Sequence, residues 1–333
     1  MGEKQLSSAE AELYDRQIRL WGIESQEKLR AANVLLIGIR GLGSEIAKNI
    51  LLSGINSLTI LDDGLITEDD LLHNFLLTES TAVGKKIAEE VLARAQALNP
   101  LVKIITDTES VTAKSPEFFH NFTIVVATKI KVDSIIKIDN ICRERNVKFI
   151  YGDVFGLFGF SVADFQEHDY FEDRIQLTAG RKRGHDGEKK TVKVKGNISY
   201  PSLNKVLILP NTKQDTVFVK KLARPSNLFA CLLTLLEFKK QHHRDPDYEK
   251  KNEDIEKLKI IAADIIELYN FTNLNMDSLY ELLFGELIPV CAIVGGVMAQ
   301  EVIKAVSHKE VTINNIFLFD PITYSGKELT VGA

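Results

Sequence analysis

The sequence predicts an α/β protein built on a mostly parallel β-sheet with helices on both faces. Short apolar runs alternate with longer helical patterns in the first half of the chain, which is typical of parallel strands joined by helices. A glycine-rich turn lies between the first apolar run and the first helical pattern. After residue 274 the α/β pattern returns, which predicts that the segment before it is an insertion.

Five apolar runs have the length and composition of buried strands. They are residues 33–37, 57–62, 102–107, 123–127 and 147–151. The segments between them carry apolar residues at helical spacing. These predicted helices are residues 44–52, 83–98 and 132–146. Asn99-Pro100 ends the second helix, because proline cannot continue a helix and holds its predecessor in an extended conformation.

The pattern changes after residue 151. Residues 153–165 are rich in glycine and aromatic side chains and predict an antiparallel hairpin. Residues 181–195 are polar and basic, so we expect a mobile surface loop, with a nuclear-import signal or a patch for an acidic partner as the alternative. Two helices are expected in residues 225–270, separated by residues 241–247.

The C-terminal part predicts a helix and a strand that rejoin the sheet. Residues 287–306 are apolar nearly all round, as in a helix buried on several sides. Charged and polar residues interrupt this run and Pro289 suits a first helical turn, so a core helix is favoured over a membrane span. Residues 313–319 predict one more buried strand.

Composition excludes several classes of protein. The 333 residues carry a formal net charge of -5, which provides no overall basic field for nucleic acid. Cys142, Cys231 and Cys291 are far apart and lie among apolar residues, so we expect structural cysteines and neither a disulfide framework nor a zinc site. The N-terminus lacks a signal-peptide core, and we expect a soluble protein of the cytosol or nucleus.

The glycine-rich turn has the sequence G-I-R-G-L-G at residues 38–43. It follows a strand, opens a helix and precedes Asp62 at the next strand end, which suits a nucleotide-binding βαβ unit. Arg40, however, stands where a glycine normally lets the backbone approach a pyrophosphate. A guanidinium is also a good phosphate donor. The local chemistry therefore leaves a working site and a relic site equally open.

A working ATP site would require a carboxylate for Mg²⁺ and cations for the phosphates. Lys85 and Lys86 could supply positive charge. The predicted strand at residues 123–127, however, is followed by T-K-I-K at residues 128–131, which offers two lysines and no acid. We therefore expect no metal site there.

A charged motif precedes the predicted sheet. Residues 14–22, Y-D-R-Q-I-R-L-W-G, combine two arginines with the chain's only tryptophan. One interpretation is an amphipathic helix with Ile18 and Trp21 packed inward and both arginines in solvent. The other is an arm whose arginine reaches a phosphate on another chain.

Four blocks together resemble the activating enzymes of ubiquitin-like proteins, most closely the small subunits of the SUMO-activating type, which lack the catalytic cysteine. The blocks are residues 14–22, 38–49, 152–160 and 289–305, the last followed by F-D-P at 319–321. The resemblance implies a Rossmann-like adenylation domain with an inserted α+β subdomain. The expected division is an adenylation domain in two parts, residues 1–164 and 275–333, around a cysteine-half-domain-like insertion without its cysteine, residues 165–274.

In that family two related domains pair, and only one of them binds ATP and carries out adenylation. That domain shows G-x-G-G-x-G, an Asn-Arg-Gln set and an Asp-Asn pair. This chain instead has Arg40 in its loop, L-H-N at residues 72–74 and T-K-I-K at residues 128–131. The resemblance therefore implies a relic nucleotide loop, with no cofactor and no metal bound by this chain. The residues of that loop are Gly38, Arg40, Gly41, Gly43 and Asp62.

The resemblance also implies a role for Arg16, which would cross the dimer interface to the phosphates of ATP in the partner. The partner would be the cysteine-bearing subunit of the SUMO-activating enzyme, which holds ATP and Mg²⁺, adenylates the C-terminal glycine of SUMO and forms the thioester. This chain would be the regulatory subunit, with little or no activity alone. We expect it in the nucleus and also the cytoplasm, meeting SUMO through the complex and binding neither nucleic acid nor membrane.

Three alternatives share parts of this pattern. The small subunit of another ubiquitin-like activator, such as the neddylation type, resembles it but carries a longer insertion. A homodimeric sulfur-carrier adenylyltransferase would require a carboxylate near Thr128. A nicotinamide-dependent dehydrogenase would suit the glycine turn and Asp62, but it would leave residues 289–305 unexplained and would lack an acid–base residue.

Overall fold

A computed structural model of the chain describes residues 8–78, 80–177, 189–207, 226–269, 271 and 274–332. These residues form an eight-stranded sheet with helices on both faces, together with a two-stranded ribbon. The predicted α/β fold class is confirmed.

The strands of the main sheet fall into a parallel part and an antiparallel part. In chain order they are β1 Asn33–Ile37, β2 Ser57–Leu61, β3 Lys103–Asp107, β4 Ile124–Thr128, β5 Lys148–Phe155, β6 Phe158–Asp164, β9 Ile316–Asp320 and β10 Ser325–Leu329. Their spatial order is β10-β9-β6-β5-β4-β1-β2-β3. The strands from β5 to β3 are parallel, whereas β6, β9 and β10 pair antiparallel with their neighbours. The tail therefore rejoins the sheet, as predicted.

The helices connect these strands and cover the sheet. In the N-terminal part they are α1 Ser8–Leu13, α2 Asp15–Trp21, α3 Ile23–Ala31, α4 Gly41–Leu52, α5 Glu68–His73, α6 Ile87–Glu90, α7 Leu92–Leu98, α8 Pro116–Phe119 and α9 Val132–Glu144. In the C-terminal part they are α10 Leu203–Leu207, α11 Asn227–His242, α12 Lys251–Tyr269, α13 Asp277–Tyr280 and α14 Ile288–Ser307. The ribbon consists of β7 Glu167–Leu177 and β8 Lys189–Ser199.

The predicted boundary between a parallel strand ending at residue 151 and a separate hairpin from residue 153 is wrong. β5 runs without interruption to Phe155, pairing parallel with β4 and antiparallel with β6. Gly156 turns the chain between β5 and β6 with φ +56°, a left-handed conformation that glycine adopts without steric cost. One strand therefore forms both the end of the parallel sheet and the first arm of the hairpin.

Two other predictions require correction. The helix predicted for residues 83–98 begins only at Ile87 and is interrupted at Val91. Gly84, within the predicted range, has φ +87°, a conformation that does not belong to a helix. Residues 189–195, predicted as a loop, belong to β8 and pair with β7. Residues 181–188 of that predicted loop lie outside the described residues.

Helices α4 and α14 pack side by side on one face of the sheet. A Cβ at Gly295 would lie 2.8 Å from the Cβ of Glu45, so this approach depends on the missing side chain. Among the described helices α14 has the length and apolar composition to cross a membrane, but 67% of its most apolar stretch is buried in the protein. It forms part of the core, as predicted.

The helices of the middle segment cover the opposite face of the sheet. α11 and α12 pack against each other, and α11 contacts α9. Apolar side chains of both helices share a hydrophobic core with the strands. The two helices predicted in residues 225–270 are confirmed, while the division of the chain at residues 164 and 274 stays a prediction.

Two acids lie together in this core. Asp139 of α9 and Asp164 at the end of β6 are both almost fully buried. Asp139 Oδ2 accepts the backbone N–H of Leu203 at 2.8 Å, and Asp164 is paired with the guanidinium of Arg143. Burial and the neighbouring Asp164 raise the pKa of Asp139 to about 8.

The Asp139→Asn variant is expected to gain stability relative to the wild type as the pH rises. The folded state of the wild type holds the Asp139 proton more tightly than the unfolded state. Its stabilising contribution is therefore complete below the unfolded pKa and is lost as pH rises through the folded pKa. The free energy of unfolding of the wild type should fall against that of the variant by about 1 kcal/mol per pH unit between about pH 5 and pH 8.

Urea unfolding at several pH values measures this difference. Asp133→Asn, on the exposed first turn of the same helix, is the matched control and should run parallel to the wild type. A constant difference between Asp139→Asn and wild type across this range would contradict the assignment.

Candidate functional site

The glycine turn joins β1 to α4 at the carboxyl edge of the sheet, where α/β proteins bind ligands. Gly38 has φ +86°, and a Cβ there would lie 2.5 Å from Thr128 Oγ1. A Cβ at Gly43 would lie 2.1 Å from the carbonyl oxygen of Gly38. These two glycines are required by backbone packing within the domain, whether or not a ligand is bound.

Asp62, which directly follows β2, is engaged with the backbone. Its Oδ2 accepts the N–H of Ile39 at 2.9 Å, and its Oδ1 accepts the N–H of Gly64 at 2.8 Å. The carboxylate therefore fixes the glycine turn to the loop after β2.

The guanidinium of Arg40 pairs with Asp70 of α5. Asp70 is 1% exposed, and its Oδ2 also accepts the N–H and the hydroxyl of Thr67 at 2.8 and 2.7 Å. Burial alone would raise the pKa of Asp70, but His73, Arg40 and Thr67 hold it well below its usual range. The guanidinium of Arg40 is thus occupied by an internal carboxylate.

His73 extends the series of ion pairs that begins with Arg40 and Asp70. Its Nε2 lies 3.1 Å from Oε2 of Glu286 and 3.6 Å from Oδ1 of Asp70. Burial opposes the charged ring, yet these two carboxylates raise the pKa of His73 to about 9, so the imidazole is a cation at neutral pH. The absence of a side chain at Gly41 admits this ring, since a Cβ there would lie 2.8 Å from His73 Cδ2.

Glu286 is connected to a closed ring of four alternating charges, which are Lys129, Asp153, Lys239 and Asp245. Lys129 Nζ lies 2.9 Å from Asp245 Oδ2, 3.3 Å from Asp153 Oδ1 and 4.0 Å from Glu286 Oε1. Lys239 Nζ lies 2.9 Å from Asp153 Oδ2 and 3.1 Å from Asp245 Oδ1. Burial lowers the pKa of Lys129 and of Lys239, but the two aspartates more than reverse this effect.

We call this connected set of charges the crevice network. Its members are Arg40, Asp70, His73, Glu286, Lys129, Asp153, Asp245 and Lys239. Arg40 and Lys129 line two adjoining cavities, one of about 350 Å³ on the side of His73 and Glu286 and one of about 180 Å³ on the side of Gly38 and Asp62. The two side chains therefore divide the crevice at this edge of the sheet.

The expectation that no acid lies near Thr128 is wrong. Asp153, Asp245 and Glu286 all converge on Lys129, the residue that follows Thr128. Asp245 is 116 residues away from Lys129 in the chain, and no local motif marks it. The sequence offered only a weak indication that Glu286 lies at this site, because Glu286 comes just before α14, the helix that packs beside the glycine turn.

Among the described residues, no group of three or more His, Cys, Asp and Glu is arranged to hold a metal ion. The acids of the crevice network each face lysine, arginine or histidine instead. Cys142, Cys231 and Cys291 are free and buried, and burial raises the pKa of each thiol. Such thiols are poor nucleophiles.

The charged motif of residues 14–22, which we call the N-terminal arm, is anchored at the C-terminal end of α4. The ring of Tyr14 fits beneath Gly54, where a Cβ would lie 2.4 Å from Tyr14 Cζ. Asn99 Nδ2 donates to the Tyr14 hydroxyl at 2.9 Å and to the Leu51 carbonyl at 2.7 Å. Gln17 Nε2 donates to the Leu52 carbonyl at 2.8 Å. The arm is therefore fixed to the body rather than hanging free.

Arg16 lies on α2 and is exposed, with no hydrogen bond or ion pair to the described part of the chain. Arg19, in contrast, pairs with Asp15 at 3.0 Å. Ile18 and Trp21 are half-buried, as the amphipathic interpretation of the motif predicts. The structure thus gives Arg16 a defined position without an ion-pair partner among the described residues.

The parallel sheet, the glycine turn that opens α4 and the anchored arm define a Rossmann-like domain of the adenylation type. The chain belongs to the ThiF family, which matches residues 14–333. The crystal structure of SeMet PaaA shares the fold, with a TM-score of 0.58 over 99% of this chain and 86% of that one at 16% identity.

Curated relatives cover almost the whole chain. SUMO-activating enzyme subunit 1 of Rattus norvegicus is 38% identical over 331 residues, 96% of this chain and 94% of that protein. The protein of the same name from Homo sapiens is 37% identical, covering 96% and 95%, and that from Mus musculus is 39% identical, covering 94% and 91%. The resemblance drawn from the four sequence blocks is confirmed.

Arg40→Ala is expected to destabilise the protein by about 2 kcal/mol, because it leaves the buried Asp70 carboxylate without its guanidinium. The partial exposure of Arg40 places the loss below that of a fully buried pair. Urea unfolding measures it, with Arg145→Ala, an exposed arginine, as the neutral control. The double variant Arg40→Ala/Asp70→Ala should lose less than the sum of the single variants, and strict additivity would contradict the pairing.

Proposed function

We propose that this chain is the regulatory subunit of a heterodimeric activating enzyme for SUMO. Its partner is the cysteine-bearing subunit, which binds ATP and Mg²⁺, adenylates the C-terminal glycine of SUMO and forms the thioester. The proposal is supported by near full-length similarity to proteins named SUMO-activating enzyme subunit 1. The observation that carries it is Arg16, which is exposed, has no partner in the part of the chain that the structure describes, and lies on an arm held by Tyr14 and Gln17.

The position of the arm supports action on another chain. Tyr14 and Gln17 hold the arm beside residues 51–54, at the C-terminal end of α4, whereas the glycine turn lies at its N-terminal end. A helix of 12 residues is about 18 Å long, which is well beyond the reach of an arginine side chain. Arg16 therefore serves a nucleotide site in the partner, where its charge stabilises the negative charge on the phosphates.

The chemistry of this chain's own crevice supports a relic site. A nucleoside triphosphate requires free cations and a carboxylate available for Mg²⁺. Here Arg40 and Lys129 are paired with Asp70, Asp153 and Asp245, and both oxygens of Asp62 accept backbone N–H groups. The residues present do not fit ATP-Mg²⁺, so the loop of Gly38, Arg40, Gly41 and Gly43 binds no cofactor or metal in this chain.

The homodimeric sulfur-carrier adenylyltransferase is the second candidate that the structure addresses. It required a carboxylate near Thr128, and Asp153 lies there. That carboxylate is 0% exposed and held by two lysines, which leaves it poorly suited to a metal. We accordingly place catalysis in the partner and assign this chain little activity alone. It meets SUMO through the complex, in the nucleus and the cytoplasm.

Arg16→Ala is expected to lower ATP:pyrophosphate exchange by the reconstituted heterodimer roughly 10- to 100-fold, because a cation facing the phosphates is lost. Arg16→Lys should restore part of the activity, since it keeps the charge without the bidentate geometry. Arg19→Ala is the matched control, being an exposed arginine on the same helix that pairs with Asp15. Unchanged exchange in Arg16→Ala would refute the role assigned to Arg16.

The isolated chain is expected to show no binding of ATP-Mg²⁺ at micromolar concentrations, because the crevice cations are already paired internally. Isothermal titration calorimetry measures this, with the reconstituted heterodimer as the positive control. A micromolar dissociation constant for the isolated chain would contradict the relic site.

A further inference from the structure

The C-terminal end of α4 is capped by side-chain amides from three other parts of the chain. The last carbonyl groups of a helix have no partner within the helix, so side chains or water must supply their hydrogen bonds. Here three amide groups donate to three successive carbonyl oxygens. The bonds run from Asn99 Nδ2 to Leu51 at 2.7 Å, from Gln17 Nε2 to Leu52 at 2.8 Å and from Gln26 Nε2 to Ser53 at 2.9 Å.

Two of these amides also hold the N-terminal arm. Asn99 Nδ2 donates to the hydroxyl of Tyr14 at 2.9 Å, and Gln26 Oε1 accepts from Trp21 Nε1 at 3.1 Å. Asn99 is 2% exposed and Gln26 is fully buried. Each amide therefore connects one aromatic residue of the arm to the end of α4, and Arg16 lies between the two aromatic residues in sequence.

The arm depends on these attachments for its position. Helix α2 has seven residues, and none of them is fully buried. A helix this short is only marginally stable in water by itself. The bonds at Tyr14, Gln17 and Trp21 therefore determine where α2 lies, and with it the backbone from which the side chain of Arg16 extends.

We propose that Asn99 is a positioning residue for adenylation in the partner subunit and acts through Tyr14 on Arg16, an inference that rests on the proposed function. Arg16 is two residues from Tyr14, so a shift of the Tyr14 ring moves the backbone of Arg16. A displacement of about 1 Å at a catalytic group can cost on the order of 100-fold in rate. Gln26 has the same role at the other end of the arm.

An amide is the side chain that this position requires. Asn99 uses Nδ2 to donate to both Tyr14 and Leu51, and its Oδ1 accepts the N–H of Leu101 at 3.1 Å. A primary amide provides two donor hydrogens and an acceptor oxygen in one small group. Leucine has the same branched skeleton and none of these groups, so Asn99→Leu removes all three bonds without removing the side chain.

The test uses the full-length chain with the cysteine-bearing subunit, and measures ATP:pyrophosphate exchange at saturating partner and saturating ATP. Asn99→Leu is expected to lower the rate roughly five- to twentyfold, because Arg16 is displaced from the phosphates. Asn315→Leu is the matched control, since Asn315 is 1% exposed and exchanges two hydrogen bonds with the backbone of Val331, at 2.9 and 3.1 Å. It should leave exchange unchanged, and circular dichroism melts establish that each variant is folded.

A double variant distinguishes positioning from general destabilisation. If Asn99 acts through Arg16, then Asn99→Leu lowers no rate further once the guanidinium is gone. Asn99→Leu/Arg16→Ala should therefore exchange at the rate of Arg16→Ala alone. A merely structural role would lower the rate by the same factor in both backgrounds, and that result would overturn the inference.

Tyr14→Phe is a milder second variant, because it keeps the ring beneath Gly54 and removes only the hydroxyl. Its expected loss is roughly two- to fivefold, and the same double-variant comparison decides the question with Tyr14→Phe if Asn99→Leu does not fold.

The outcomes separate this inference from the proposed function. Unchanged exchange in folded Asn99→Leu and Tyr14→Phe, with reduced exchange in Arg16→Ala, would overturn the role of Asn99 and leave the proposed function standing. A loss in Asn315→Leu equal to that in Asn99→Leu would also overturn it. Unchanged exchange in Arg16→Ala would refute the role of Arg16 and the role of Asn99 together.

Discussion

The crevice network ties together parts of the chain that are distant in sequence. Arg40 follows β1, Lys129 follows β4, Asp153 lies in β5, Asp245 follows α11 and Glu286 precedes α14. Charges this deeply buried are costly unless each is paired. Their alternation satisfies that requirement without a ligand, so the carboxyl edge of the sheet is stabilised by the protein's own side chains.

The two ends of helix α4 differ in whether the nearby cations have partners. At its N-terminal end the cations are paired internally, whereas at its C-terminal end the arm presents Arg16 without a partner among the described residues. Tyr14 beneath Gly54 and Asn99 hold the arm in that position. The contrast supports the proposal that this chain carries out no adenylation of its own and contributes a charge to a partner subunit.

Much of the fold was predictable because its signals are local. The apolar run of β1 and the buried pattern of α14 each contain their own evidence, and both were predicted within one or two residues. The errors occurred where tertiary pairing decided the structure. β5 continues to Phe155 because two neighbouring strands hold it, and β8 is a strand because β7 pairs with it.

The sequence by itself determined the α/β fold, the family and the charged motif that precedes the sheet, because periodicity and contiguous motifs encode them. Only the tertiary structure decided the state of the crevice. The sequence shows an unusual arginine in the glycine turn and two lysines after β4. The partners of these cations include Asp70, 30 residues from Arg40, and Asp245, 116 residues from Lys129. Ion pairing depends on distance in space, which a single sequence does not record for residues brought together by folding.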